Sequence, residues 1–408
     1  MTPYARTYSV ASGPINGGRF AGGRFTGALT LGNDSVSGAF ASNASAFSGA
    51  LVLDNDTVNG AMVGFVVPAW LTGKPVNEWF SIAGTSGAGG AAVLAFSGMA
   101  LRDDTSEIYV AAAGGHLDSS DNRVVSLDLR QDSPSWVLRK APSASVTADA
   151  AYNSDGLPAS RHTYHSTHWC APRNRIILSG AEFVYGPGVV TYLTVDGFNV
   201  TTNAWDAAGT FANCNTYGAS VDNNGNILSV AGFRKWTQAT DTYSALISPP
   251  GDATTQVRRP WCYDGSRDQW FGLAWGDGQG FTGWGTNLRA VKMSNTGLVQ
   301  VAVTFNSSAA AAQLLADQPS YAGMGYDIAN DRFLFYAGMA GREGVVYAIA
   351  PNAGTVWDIS ILALGGGTLT PTTVASGGVH SRFRYVPALR GVVLLVGPSD
   401  NIYFMRLS

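Results

Sequence analysis

Charge is scarce in this 408-residue chain: 25 Lys and Arg and 28 Asp and Glu make up 13% of it, about half the usual share. The net charge of −3 leaves no basic footprint, which argues against nucleic acid as a partner. Cysteine is nearly absent. Cys170, Cys214 and Cys262 are odd in number, widely spaced and form no CxxC pair, which argues against a disulfide framework and a structural zinc site. Small buried hydrophobes are expected at those positions. Long apolar runs are missing too: residues 62–71, broken by Gly64 and Pro68, are about ten residues, too short to span a bilayer. The start, Met1-Thr2-Pro3-Tyr4-Ala5-Arg6, lacks a basic stretch followed by an apolar core, so no signal peptide is read. A soluble protein without membrane insertion is expected, cytoplasmic unless carried outside the cell on a particle.

Glycine, by contrast, is abundant at 50 residues, which suits a β-rich chain with many tight turns. Two stretches, TGALTLGNDSVSGA from Thr26 to Ala39 and SGALVLDNDTVNGA from Ser48 to Ala61, match at nine of fourteen positions and form a tandem repeat. Each unit alternates apolar and polar residues around Asn33-Asp34 or Asn55-Asp56, which predicts strand, turn and strand. A shorter tandem, Gly17-Gly18-Arg19-Phe20 and Gly22-Gly23-Arg24-Phe25, precedes them. With few bulky apolar residues, residues 1–73 cannot build a core alone; a Gly-rich β-repeat that anchors or oligomerises the chain is expected.

Residues 74–408 carry a larger repeat. Six polar turns recur along it at broadly comparable intervals, beginning near Arg102, Pro172, Asp222, Asp264, Ala329 and Ala388. Each is preceded by a strand with an aromatic residue (Phe96, Tyr164, Tyr217, Trp261, Tyr321, Tyr385) and followed by an apolar strand ending in glycine. Third strands follow, at residues 243–248 in the third unit, and fourth strands often open with Trp; the third unit's fourth strand is placed near residues 254–258. Four strands per unit around an axis make a propeller blade. The sixth unit lacks its fourth strand, and Glu78-Trp79-Phe80-Ser81-Ile82 is the candidate to supply it from the front. The expected fold is therefore an all-β, six-bladed β-propeller closed by an N-terminal strand.

Phe96-Ser97-Gly98-Met99-Ala100, Gly114-Gly115-His116, Asp121-Asn122-Arg123-Val124-Val125 and Pro134-Ser135-Trp136 together resemble a kelch repeat. So do Arg161-His162-Thr163-Tyr164, Asn174-Arg175-Ile176-Ile177 and Gly180, although only the first unit keeps the double glycine. The resemblance implies a kelch-like propeller of the galactose-oxidase central-domain superfamily, of the style found in phage virion proteins. It also raises a copper radical oxidase, but no pair among the five histidines fits that centre's motif.

No catalytic set emerges. On one extended strand His162 and His168 would share a face roughly 20 Å apart at ~3.3 Å per residue, too far to hold one ion. Inner-strand histidines hydrogen-bonded between blades are expected instead. Asp222-Asn223-Asn224-Gly225 lacks the later bidentate acid of a calcium loop. Neither a metal nor a cofactor is expected, and the protein is read as no enzyme. Recognition would sit on the long loops after second strands, where His116, Asp118, Arg234, Lys235, Trp236, Asp277, Phe281, Trp284 and Arg342 offer rings beside hydrogen-bonding groups. The expectation is a non-enzymatic, virion-associated structural or binding protein, of tail-fibre, head-fibre or decoration type. Its partners would be other virion proteins through residues 1–73, further copies of itself and a host-surface glycan. The alternatives are a bacterial carbohydrate-binding or adaptor propeller and, less favoured, a polysaccharide-degrading enzyme using Asp118, Asp277 and Glu343.

Overall fold

A computed structural model describes residues 29–32, 41–42, 51–54 and 63–64, and then 67–408 apart from 88–95, 182, 215–217, 230–233, 246–259, 276–287, 318, 320–321, 363–368 and 375–376. The chain divides into two units, Met1–Val66 and Val67–Ser408.

In the first unit, β1 (Leu29–Gly32) pairs in parallel with β3 (Leu51–Asp54), and β2 (Ala41–Ser42) with β4 (Val63–Gly64). The partners are Leu29↔Leu51 and Ala41↔Val63, so both pairings are offset by one full period of the sequence repeat. Each repeat stacks in register on the next. The bonds seen run between repeats, and the Asn-Asp turns of the strand–turn–strand reading lie outside the described residues.

Among its described residues the second unit is all-β save for short 3-10 turns and one helix, α1 (Ala309–Asp317), capped by the Ser308 hydroxyl on Ala311 N at 3.0 Å. After β5 (Trp79–Ser81) come three antiparallel four-stranded sheets. The first holds β6 (Ala100–Arg102), β7 (Glu107–Ala111), β8 (Val124–Asp128) and β9 (Val137–Lys140). The second holds β10 (Thr167–Cys170), β11 (Arg175–Ala181), β12 (Tyr192–Asn199) and β13 (Ala204–Trp205). The third holds β14 (Gly218–Val221), β15 (Ile227–Ser229), β16 (Arg234–Thr237) and β17 (Thr242–Tyr243).

The next eight strands form one continuous sheet. They are β18 (Trp261–Asp264), β19 (Gln269–Trp275), β20 (Leu288–Ser294), β21 (Gln300–Phe305), β22 (Gly323–Asp327), β23 (Arg332–Tyr336), β24 (Val346–Ala350) and β25 (Val356–Ile361). Their order is β18-β19-β20-β21-β25-β24-β23-β22. Edges β21 and β25 meet in parallel at Thr304↔Val356 and Phe305↔Trp357, and end strands β18 and β22 lie against each other, a barrel-like arrangement. A shared aromatic core draws the two halves together: Phe271, Phe333 and Trp357 are fully buried, with ring centroids 4.7 to 6.1 Å apart. The last sheet joins β26 (Phe383–Val386), β27 (Gly391–Leu394), β28 (Tyr403–Arg406) and, antiparallel to β28, β5.

The expected single six-bladed kelch-like propeller is thereby overturned. Four four-stranded sheets stand in a propeller-like arrangement, and a separate eight-stranded sheet replaces two independent blades. Strands of the third unit also fall one step earlier than expected: its third strand is β16, and residues 254–258 lie outside the described set. What organises the site is the succession of β6, β10, β14, β18, β22 and β26 around one axis.

Candidate binding site

Of the loop residues singled out by sequence, His116 and Asp118 come together with a histidine placed elsewhere. Beyond β7 the chain turns through Gly114 (φ +138°) and Gly115 (φ +86°), and a Cβ on Gly115 would collide with the backbone of Arg161 and Phe183. Only glycine lets this loop pack so closely. His116 then donates its N–H to Phe183 O at 2.8 Å. Asp118, its side chain 35% exposed, meets His162 Nε2 at 2.9 Å, and His162 Nδ1 meets the Tyr164 hydroxyl at 3.1 Å. The Phe96 ring lies 4.6 Å from that imidazole and the Phe183 ring 5.3 Å.

Backbone strain concentrates here. Phe96 (φ 54°), His116 (φ 42°), Tyr164 (φ 40°), Phe183 (φ 47°) and His380 (φ 50°) all adopt left-handed conformations, each costing on the order of 1–3 kcal/mol for a bulky side chain. Tertiary bonds hold them. Tyr164 N donates to Phe96 O at 2.8 Å, and Ser381 Oγ donates to Tyr164 O at 3.1 Å while accepting from Met99 N at 3.0 Å. The left-handed turn at Tyr164 and His165 breaks the single strand expected across residues 162–168, so the alternating-face argument does not apply. The Tyr164 ring instead lies 5.0 Å from His380, which lies 5.1 Å from His165. A chain of rings thus descends from Asp118 at the surface to the axis. Among the described residues no group of three or more His, Cys, Asp or Glu is placed to hold a metal ion.

Of the other singled-out residues, Arg234, Lys235, Trp236 and Arg342 lie apart from this cluster. Arg234, Lys235 and Trp236 belong to strand β16, not to a loop. Trp236 is 1% exposed and donates its indole N–H to Asp241 at 2.8 Å, a core position. Lys235 Nζ donates to Asn295 O at 2.7 Å. Arg342 makes a two-pronged ion pair with Asp317, the last residue of α1, at 2.7 and 2.9 Å, and Asp317 also accepts from the Tyr347 hydroxyl. Asp277, Phe281 and Trp284 lie outside the described residues.

Sequence reasoning missed Tyr164, His380, Arg382 and Arg384 as parts of one centre. A signal was present: Phe96-Ser97, Tyr164-His165 and His380-Ser381 stand at matching points just before β6, β10 and β26. Arg382, 2% exposed, donates to the carbonyls of Ser97 (2.9 Å), Leu395 (2.7 Å), Val396 and Gly378; burial pulls its guanidinium down to about 9. His168, 1% exposed, is held well below the usual imidazole range by burial, then by Arg384 and His165. Cys170 and Cys214 are buried thiols outside any disulfide, as their scarcity suggested, and burial pushes Cys170 up to about 11. Among the described residues no helix is long and apolar enough to cross a membrane.

The Asp118–His162–Tyr164 chain ends on a hydroxyl that is 1% exposed, so it fixes side-chain positions and offers no accessible nucleophile at its inner end. Its outer end presents a carboxylate beside Leu117, which is 65% exposed. Compared with known proteins, the sequence matches no family model and no curated protein.

Proposed function

We propose that this chain is a non-enzymatic structural or binding protein of the virion-associated kind. The Met1–Val66 unit attaches it to copies of itself and to other particle proteins, and the Val67–Ser408 unit presents its loops to a surface glycan or a neighbouring particle component. The observation that carries this reading is the register of the N-terminal strands. Leu29↔Leu51 and Ala41↔Val63 pair each repeat with the equivalent positions of the next, a self-complementary edge that a further copy fits equally well. The cluster at His116, Asp118 and His162, held among the left-handed residues His116, Tyr164 and Phe183, supports a rigid recognition surface. A non-catalytic role is supported by the commitment of polar groups to structural bonds: Arg342 to Asp317, Lys235 to Asn295, and Glu343 to the Thr373 hydroxyl at 2.7 Å.

The test is fractionation of cultures that express the chain from its own locus, with particles purified by density gradient and their proteins identified by mass spectrometry. The chain is expected to sediment with particles and to be released only by conditions that dissociate them. Recovery wholly in the particle-free fraction would remove the virion reading.

A further inference from the structure

Parts of two neighbouring sheets converge on the side chain of Asn295, which follows β20 and is 5% exposed. Its Oδ1 accepts the indole N–H of Trp270 on β19 at 3.2 Å and the ammonium of Lys235 on β16 at 3.1 Å. Its Nδ2 donates to two carboxylates, Asp268 Oδ1 at 2.8 Å just ahead of β19 and Asp222 Oδ2 at 3.1 Å just after β14. Lys235 Nζ also donates to the Asn295 main-chain O at 2.7 Å. These bonds fix which end of the amide is oxygen: only a carbonyl accepts from an indole and an ammonium, and only an NH2 group donates to two carboxylates.

An amine, an amide carbonyl, a donor on its oxygen and carboxylates on its nitrogen are the parts needed to replace one amide nitrogen by another. A lysine amine is a nucleophile toward carbonyl carbon once it has shed a proton. Lys235 Nζ stands 3.1 Å from the oxygen bonded to that carbon, about the separation of a near-attack arrangement, and the flexible lysine stem can carry it over Cγ. Trp270, fully buried, aims its N–H at the oxygen where negative charge would develop. The carboxylates hold the nitrogen that must leave, the place where proton transfer is required. Burial of Asn295 and Trp270 keeps water, the competing nucleophile, from Cγ. A hydrogen bond to the main-chain O would by itself hold Lys235, so the groups around the amide call for a further account.

We propose that Lys235 and Asn295 join spontaneously in an intramolecular isopeptide bond between Nζ and Cγ, with release of ammonia. The half-buried Lys235 ammonium first gives a proton to solvent. Its lone pair forms the Nζ–Cγ bond, and the carbonyl pair moves onto Oδ1, where the Trp270 N–H receives it. Asp268, the nearer carboxylate, takes a proton from the newly bonded nitrogen and delivers one to Nδ2, while Asp222 holds the amide in place. The pair on Oδ1 re-forms the carbonyl, the Cγ–Nδ2 bond breaks and ammonia leaves with its electrons. Asp268 ends as the carboxylate it began, and no oxidant or reductant is consumed. The bond ties β16 of the third sheet to the turn between β20 and β21, across a sequence separation of 60 residues.

Intact-mass spectrometry and peptide mapping of the purified full chain test this directly. The folded protein is expected to be lighter than its sequence by one ammonia. Trypsin should give one branched peptide that joins the segment beginning at Lys235 to the segment containing Asn295, with no cleavage after Lys235. Lys235→Arg keeps the charge and the donors but lacks the amine. It should abolish the branched peptide and lower the unfolding midpoint by roughly 5–10 °C, as expected for opening a cross-link across a loop of this length. Asp268→Asn should slow formation of the bond by on the order of 100-fold. Should either variant fail to fold, the wild-type mass and peptide map decide alone. A wild-type chain of full sequence mass, cleaved normally after Lys235 following days in native buffer, would overturn the proposal. So would ammonia loss confined to Asn-Gly pairs such as Asn224-Gly225.

Discussion

At the scale of single residues, His168 makes the most direct statement about stability. Its imidazole is depressed in the folded protein by burial first, and then by the facing Arg384 and His165. The unfolded chain therefore binds a proton near the ordinary histidine value while the native state stays neutral. The sign follows: the contribution is complete above roughly pH 6.5 and is lost as pH falls below it, by up to about 1.4 kcal/mol per pH unit. Urea unfolding between pH 7 and 5 should show this slope, and His168→Gln should flatten it. Equal slopes in both proteins would place the acid sensitivity elsewhere. That this residue is buried with neither ring nitrogen partnered was not legible in the sequence. Three histidines spaced by three read as one strand, and Tyr164, where that strand breaks, bonds Phe96 O in the turn ahead of β6. The burial expected of the cysteines holds at Cys170 and Cys214, whereas Cys262 is only half-buried.

At the scale of elements, turns were the readable part. Ser106, Asn174, Gly225, Asp268, Asp331 and Arg390 all take left-handed backbone at the link between first and second strands, and the polar residues around them mark each hairpin. Strand β16 was hidden because Arg234 and Lys235 look like loop residues. In the fold Lys235 reaches Asn295 and Trp236 fills the core beneath. The alanine run of α1 is a plain helix signal, obscured by the strand repeat on either side. The parallel seam between β21 and β25 could not be read, since no sequence pattern announces which edges will meet. Its stability rests on Trp357, fully buried against Phe271 and Phe333. Trp357→Ala should cost about 3–5 kcal/mol. Hydrogen exchange should also rise at Thr304 and Asn306, whose amides bond Thr355 O and Trp357 O across the seam. Global loss without selective exchange there would separate the ring's packing from the seam.

At the scale of the whole molecule, the last sheet joins distant parts of the sequence. Strand β5 pairs with β28 through Tyr403↔Ser81 and Met405↔Trp79, Ile82 N donates to Ile402 O at 2.8 Å, and Asn77 N donates to Arg406 O at 2.7 Å. Trp79, 4% exposed, carries the join further by donating its indole N–H to Gly344 O at 2.9 Å, in the loop between β23 and β24 of the eight-stranded sheet. Removing this strand uncovers the β28 edge and the pocket that Trp79 fills, two separate penalties on one unit. Two truncations isolate the effect. Deleting residues 1–66, which form their own unit, should leave the unfolding midpoint of the remainder within a few degrees of the full chain. Deleting residues 1–82 should lower it by roughly 10 °C or more and promote aggregation, since a lost strand with a buried Trp exceeds about 3 kcal/mol. Differential scanning calorimetry with light scattering reads both outcomes. Equal midpoints for the two truncations would show that β26, β27 and β28 hold the last sheet without β5.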